Sequence, residues 1–357
     1  MNDPLQYIPS KINDGHWLTA YTLPQLQSRV PEVQVVLPIC SLGTPVEELE
    51  QLGPLVLPPL YHEGLHPSFK SELISRVHRC FPYLRGTEQR ATYDGLRNTW
   101  DDDFGIKVVE LPEKQYPAPR QNGIVAFSVD TAVEEHGPHL PLCTDTIQSY
   151  GVLQRLAETH DELTIAPPVE YGHLTWGLPF GMSVDITPEL VTKYVREYTN
   201  AIQTRYDAEA IYVVDVHGSI VHRNAIQAGL AESDADRYLF RWLHDPLVEF
   251  SGNRGDQHAG GVETALVELI NPDLVDSSWW PVRLVELAND QMDMKAALEQ
   301  QSYLDGFINY VVSRQMNGIV GEIRNYFDVD AQHMMKLMLD TASEDINELL
   351  GGSVFVG

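Results

Sequence analysis

Ala210-Ile-Tyr-Val-Val-Asp-Val216 is a near-continuous apolar run that stops at His217-Gly218-Ser219. A short run rich in Val, Ile and Tyr, without polar alternation, is the pattern of a central strand in a parallel sheet covered on both faces. Before it, Thr187-Pro188-Glu189 supplies an N-cap with proline in the first turn. Leu190, Tyr194, Val195, Tyr198 and Ile202 then recur at helical spacing, which predicts a helix to about Arg205. Further strands are expected at Val33 to Ile39, Gly123 to Val129 and Leu163 to Ala166. Further helices are expected at Pro67 to Cys80, at Ile147 to Thr159, and after Gly255 to Thr264 with a stop at Pro272. Strand-type runs alternating with helical ones specify an α/β fold, three-layer α/β/α with a mostly parallel central sheet.

The end of the Ala210 strand places His217 where such folds keep their ligands, at the carboxyl edge of the sheet. The Gly123 strand leads into Glu134-Glu-His-Gly-Pro-His139-Leu-Pro-Leu-Cys-Thr-Asp145. In an extended segment Glu134 and His136 share a side, and Gly137, Pro138 and Pro141 force a loop that can return Asp145 to them. Carboxylate oxygen and imidazole nitrogen without thiolate suit Zn, Mn or Fe, whereas Ca and Mg favour all-oxygen cages. His258 and Glu263 flank the start of a helix, where backbone N–H groups favour negative charge.

Composition narrows the partners. The chain has 357 residues and a net charge of -27, from 51 acidic against 24 basic residues, which argues against nucleic acid or an anionic membrane as partner. Cys40, Cys80 and Cys143 are too scattered for a disulfide framework and suggest a reducing compartment. No basic-then-apolar leader opens the sequence, and no apolar run approaches the roughly 20 residues that span a bilayer, so a cytoplasmic protein is expected.

A weak internal echo joins the two halves. Val35-Val-Leu-Pro-Ile and then Leu55-Val-Leu-Pro-Pro-Leu-Tyr-His-Glu-Gly64 parallel Ile124-Val-Ala-Phe and then Leu163-Thr-Ile-Ala-Pro-Pro-Val-Glu-Tyr-Gly172. Ordinary βα sequence bias produces similar echoes, so two origins stay open: bias, or a degenerate repeat that lost its metal loop. The Pro-rich Leu111 to Pro119 stretch is the best boundary, giving an N-terminal α/β extension over 1–120 and a main domain over 121–357.

Three motifs in this order resemble the creatininase (creatinine amidohydrolase) family: Glu134 to Asp145, the strand ending in His217-Gly218, and Asp256-Gln-His258-Ala-Gly260 followed by Glu263-Thr264. The resemblance covers roughly residues 123 to 275. It implies that Glu134, His136, Asp145 and His217 bind metal, with Asp145 able to bridge two ions, that Glu263 lies at the metal site, and that His258 is the catalytic histidine. His139, Asp256, Ser219, Tyr171 and Trp176 are expected behind the ligands or against the substrate. One or two Zn, Mn or Fe ions, a small-molecule amide substrate whose C–N bond is hydrolysed, and a homo-oligomer are implied.

The departures from that pattern are specific. Creatininase itself has a glutamate two residues after the strand-end histidine, and many relatives have Gly-Gly-Asn there; this chain has Ser219 and no asparagine until Asn224. Either Glu263 or His222 compensates, or one ion binds. Trp176-Gly-Leu-Pro-Phe-Gly-Met-Ser183 replaces the family's usual pocket turn, which argues against creatinine as substrate. A catalytically silent subunit, a small-molecule binding protein, or a peptidase trimming a modified peptide are the alternatives.

Overall fold

The structure is a computed structural model, and it describes residues 8–11, 17–22, 24–26, 35–84, 106–115, 123–174, 177, 183–252, 258–276, 278–279, 317–320 and 323–351. Its main sheet runs β6-β5-β7-β8, with β5 (Ile124–Ser128), β6 (Leu163–Ile165), β7 (Ala210–Asp215) and β8 (Tyr238–Trp242) all parallel. Every residue of β5 and β7 is buried. That two-sided burial explains their apolar runs, because alternate residues feed two different cores. Val125, Phe127, Ile211 and Val213 pack with α3 (Pro188–Tyr206) and α4 (Ile220–Ala231) on one face. Ile124, Ala126, Tyr212 and Val214 pack on the other with α2 (Thr144–Ala157), α5 (Gly261–Ile270) and α6 (Ala331–Leu350). The helices α2, α3 and α4 are the crossovers between successive strands, as parallel pairing requires. Among the described residues no helix is long and apolar enough to cross a membrane.

A second parallel sheet lies N-terminal to the first. Its β1 (Val35–Cys40) pairs with β4 (Ile106–Glu110) on one edge and with β2 (Leu55–Val56), then β3 (Leu60–Tyr61), on the other; α1 (Pro67–Leu84) follows. The register has a counterpart in the main sheet. From Val36↔Val56 to Ile39↔Leu60 the partner gains one residue, and from Ala126↔Ile165 to the Val129↔Val169 bridge it gains one as well. In both places the slip falls on a Pro-Pro pair, Pro58-Pro59 and Pro167-Pro168, whose rings cannot donate to a ladder. Thus β4 lies beside β1 as β7 lies beside β5.

The two sheets share one core. Leu18, Tyr21, Leu60, Tyr61 and Phe69 belong to the same buried cluster as Phe127, Tyr171, Tyr194 and Tyr198. Tyr61 and Tyr198 bring their rings to 5.9 Å, and the Tyr171 hydroxyl donates to the Pro58 carbonyl at 2.6 Å.

Candidate metal centre

Beyond β5 the chain enters a buried loop that ends at α2. The helix starts at Thr144, earlier than its apolar periodicity suggested, so Asp145 sits in its first turn, where the helix dipole favours a carboxylate. Glu134 is 3% exposed, His136 0% and Asp145 1%, a depth at which charged groups need partners.

The imidazoles are oriented from behind by carbonyls. His136 donates Nδ1–H to the Glu134 carbonyl at 3.0 Å; a carbonyl only accepts, so the neutral ring keeps its lone pair on Nε2. That buried Nε2 has no hydrogen-bond partner, and it stands 3.3 Å from Asp145 Oδ1 and 3.9 Å from Glu263 Oε2. His217, just beyond β7, has the opposite arrangement. Its Nε2–H reaches the His173 carbonyl at 3.1 Å, and Nδ1 faces Glu134 Oε2 at 3.1 Å and Asp145 Oδ2 at 3.6 Å. Asp145 therefore divides its oxygens between two imidazoles. The Thr131 hydroxyl lies against Glu134 Oε2 and, at 2.7 Å, against Asp145 Oδ2.

His258 closes the open side. Its backbone pairs with Val320, its Nε2–H donates to the Glu135 carbonyl at 2.7 Å, and Nδ1 is 3.8 Å from Glu134 Oε1. The His136 and His258 ring centroids are 4.3 Å apart. Glu263 accepts the Ala259 N–H at 2.6 Å, which fixes its carboxylate over the start of α5. Two groups of ligand-type atoms lie within 4.8 Å of one another, Glu134 with His136 and Asp145, and His136 with His258 and Glu263.

Charge is balanced inside the cluster. Burial alone would raise the Glu134 and Asp145 carboxyls, but His217 and His258 hold the first below its usual range and His136 and His217 hold the second well below. Burial would lower His217, yet Glu134 and Asp145 raise it well above the ordinary histidine value. His258, likewise opposed by burial, is raised to about 10 by Glu135 and Glu134. Behind the ligands, burial and Asp145 push Asp130 up to about 7, and burial with Asp130 pushes Asp215 well above its usual range. Divalent cations fit this arrangement: it offers carboxylate oxygens, imidazole nitrogens aimed inward by carbonyls behind them, and the orphaned His136 Nε2.

The other sequence-predicted residues are distributed as follows. His139 is fully buried behind the loop, its Nε2 2.8 Å from the Thr264 hydroxyl. Ser219 caps α4 by accepting the His222 N–H, so its hydroxyl serves the helix. Tyr171 points away from the cluster toward Pro58. His222 uses both ring nitrogens on backbone groups, which removes it as a substitute ligand. Trp176 and Asp256 lie outside the described residues. Thr131, Glu135 and the His173 carbonyl were not singled out from sequence; Glu135 stood inside the quoted motif, while the other two act through a hydroxyl and a peptide that no residue type advertises.

Comparisons with known proteins place the chain in a family. A family model described as creatininase, creatinine amidohydrolase, matches residues 114–339. The mycofactocin precursor peptide peptidase of Mycobacterium ulcerans is 29% identical over 152 residues, 40% of this chain and 57% of its own length. That of Mycolicibacterium smegmatis is 29% identical over 150 residues, 40% of this chain and 56% of its own. The chain thus spans little more than half the length of these curated relatives. A crystal structure of creatinine amidohydrolase (creatininase) aligns over 64% of this chain and 92% of its own, at 17% identity and a TM-score of 0.49. Because the matched residues take in more than half of the sequence and the whole of the buried cluster, the chain belongs to the creatininase family of hydrolases.

Proposed function

We propose that the protein is a metal-dependent amidohydrolase that cleaves a C–N bond of a small-molecule amide. The carrying observation is the convergence of Glu134, His136, Asp145, His217 and Glu263, with His136 Nε2 buried and orphaned among carboxylates. In this reading His136, Asp145 Oδ1 and Glu263 would hold one Zn, Mn or Fe ion, and His217, Asp145 Oδ2 and Glu134 a second. Ions so held supply Lewis acidity toward the amide carbonyl and acidify a water.

The chain's own groups do the rest. His258 is the proton carrier for the departing nitrogen: Nε2–H is anchored on the Glu135 carbonyl, and Nδ1 faces Glu134 and the cluster. Cations beside Glu134 and Glu263 would offset the carboxylates that raise it, which returns the imidazole toward neutrality. Ser219 leaves no carboxylate at the position where creatininase has one, and Glu263 takes that role.

A second reading, hydrolysis of an amide within a modified peptide, is favoured by the peptidase names of the relatives. Ile220 and Val221, 65% and 48% exposed just past His217, offer an apolar lip for such a substrate. In either case residues 1–120 form an extension packed on a hydrolase domain of 121–357, and the protein works in the cytoplasm as a homo-oligomer. Elemental analysis of the purified protein tests the centre. One or two equivalents of Zn, Mn or Fe are expected, lost on Asp145→Ala, and metal-free protein from metal-replete cells refutes the reading. Metal retained in a protein inert toward both small amides and peptides would instead mark a binding protein.

A further inference from the structure

We propose that His222 is the positioning residue for His217, acting through the backbone of His173; the inference rests on His217 being a metal ligand. His222 is fully buried on α4. Its Nε2–H donates to the Val129 carbonyl at 2.9 Å, and its Nδ1 accepts the His173 N–H at 3.1 Å. The His173 carbonyl in turn accepts the His217 Nε2–H at 3.1 Å. A continuous set of bonds therefore runs from the end of β5 through one imidazole and one backbone residue to the imidazole whose Nδ1 faces Glu134 and Asp145.

Directionality makes histidine specific here. Val129 offers only an acceptor and His173 N–H only a donor, and a neutral imidazole is the buried ring that can answer both. The resulting Nε2–H tautomer of His222 holds His173 in place. The His173 carbonyl then keeps the Nε2–H of His217 in place and directs Nδ1, whose proton a bound cation would displace, toward the cluster. The next peptide N–H, that of Leu174, donates to Asp185 Oδ1 at 2.9 Å, which polarises the same peptide and strengthens its carbonyl as an acceptor. The contact is close on the remaining sides: the His217 and His222 rings meet edge to face at 5.3 Å. A Cβ on Gly172 would stand 2.5 Å from His222 Cε1 and 2.6 Å from Thr131 Cγ2, so only glycine lets the chain pass. Asp215 Oδ1, 3.8 Å from His222 Nε2, is too far to compete with Val129.

The test uses metal-free full-length protein titrated with Zn in a calorimeter. His222→Phe keeps a ring and removes both bonds; it should weaken Zn binding about 10- to 100-fold, the usual effect of removing a ligand's orienting partner. His222→Gln, which can donate and accept at once, should recover most of the loss. The effect should vanish in a His217→Ala background, because there is no ligand left to orient. An equal loss with and without His217 indicates general structural damage and overturns the proposal, as does unchanged affinity in His222→Phe. Absence of Zn binding by the unaltered protein refutes the metal reading itself. Should His222→Phe fail to fold, imidazole ¹⁵N spectra of the Zn-loaded unaltered protein decide: both His222 and His217 should carry their proton on Nε2, and the opposite tautomer at either ring overturns the proposal.

Discussion

The helix α6 is tied to the main sheet by one carboxylate, and cutting that tie should loosen the proposed metal centre from a distance. Asp345 on α6 is 3% exposed and accepts from Arg241 Nε at 2.7 Å, Arg241 Nη2 at 2.6 Å and the Tyr212 hydroxyl at 2.9 Å. Arg241 lies on β8 and Tyr212 on β7, so the clamp spans two neighbouring strands. Asp345→Ala leaves the half-buried guanidinium with the exposed Asp245 carboxylate at 3.7 Å and takes the acceptor from a fully buried phenol. Breaking one side of such a pair costs about 3–5 kcal/mol, a large share of the roughly 5–15 kcal/mol that holds a domain together. Arg241→Met should cost a similar amount by leaving Asp345 unpaired. The double variant Arg241→Met with Asp345→Leu removes both charges and should cost at least about 2 kcal/mol less than the sum of the single effects. Urea unfolding followed by circular dichroism measures all three. Because α6 packs on α2 and α5, which carry Asp145 and Glu263, the single variants should also release metal at lower urea than they lose helix. Single effects below about 1 kcal/mol, or strict additivity, would refute the clamp.

Other expectations follow from the cluster. On the proposed ligand set, Asp145→Asn should abolish metal binding altogether, because the two Asp145 oxygens face His136 and His217, whereas Glu263→Gln should at most remove an ion held on the His136 side; metal stoichiometry by mass spectrometry tells them apart. Gly318→Ala should cost about 2–4 kcal/mol in urea unfolding, since its φ is +92° and a Cβ would collide with the buried Glu135 carboxylate; a neutral result would contradict the placement of Glu135. His139 is held down at about 3 by burial, against 6.5 when unfolded. A depressed histidine takes up its proton only on unfolding, so its stability contribution is intact above pH 6.5 and lost as pH falls toward 3. From pH 6.5 to 5 the stability difference between wild type and His139→Gln should therefore shrink by about 2 kcal/mol, at about 1.4 kcal/mol per unit; a pH-independent difference would sink the assignment of a neutral ring.

Much of the frame was legible because burial writes itself into composition. β5 and β7 read as apolar runs since both faces are covered, and α3 was bounded by a real cap, with Thr187 accepting the Leu190 N–H. The start of α2 was read late because Thr144, Asp145 and Thr146 are polar yet buried, so periodicity misses a turn that belongs to the site. β8 escaped because its residues are only half-buried and mix Arg241 with aromatics. α6 escaped too, although Asp330 caps it and Met334, Met335 and Met338 form its inner face. Within the site, residue type and order announced the carboxylates and imidazoles that face one another. What orients them was hidden, because the Glu134, Glu135, Val129 and His173 carbonyls carry no side-chain signature.

The core shared by the two sheets changes what a shorter version of this chain would be. Gly64 approaches so closely that a Cβ there would stand 2.6 Å from the Glu197 carbonyl on α3, and Tyr61 covers Tyr198 on the same helix. A fragment beginning at Gly123 would lose the first sheet's share of that core, including Tyr61 against Tyr198 and the Pro58 carbonyl that accepts from Tyr171. The first sheet thus acts as a resident partner, joined to its receptor by peptide bonds and docked at an effective concentration that no dissociable subunit reaches. The two sheets close one apolar interface within a single chain.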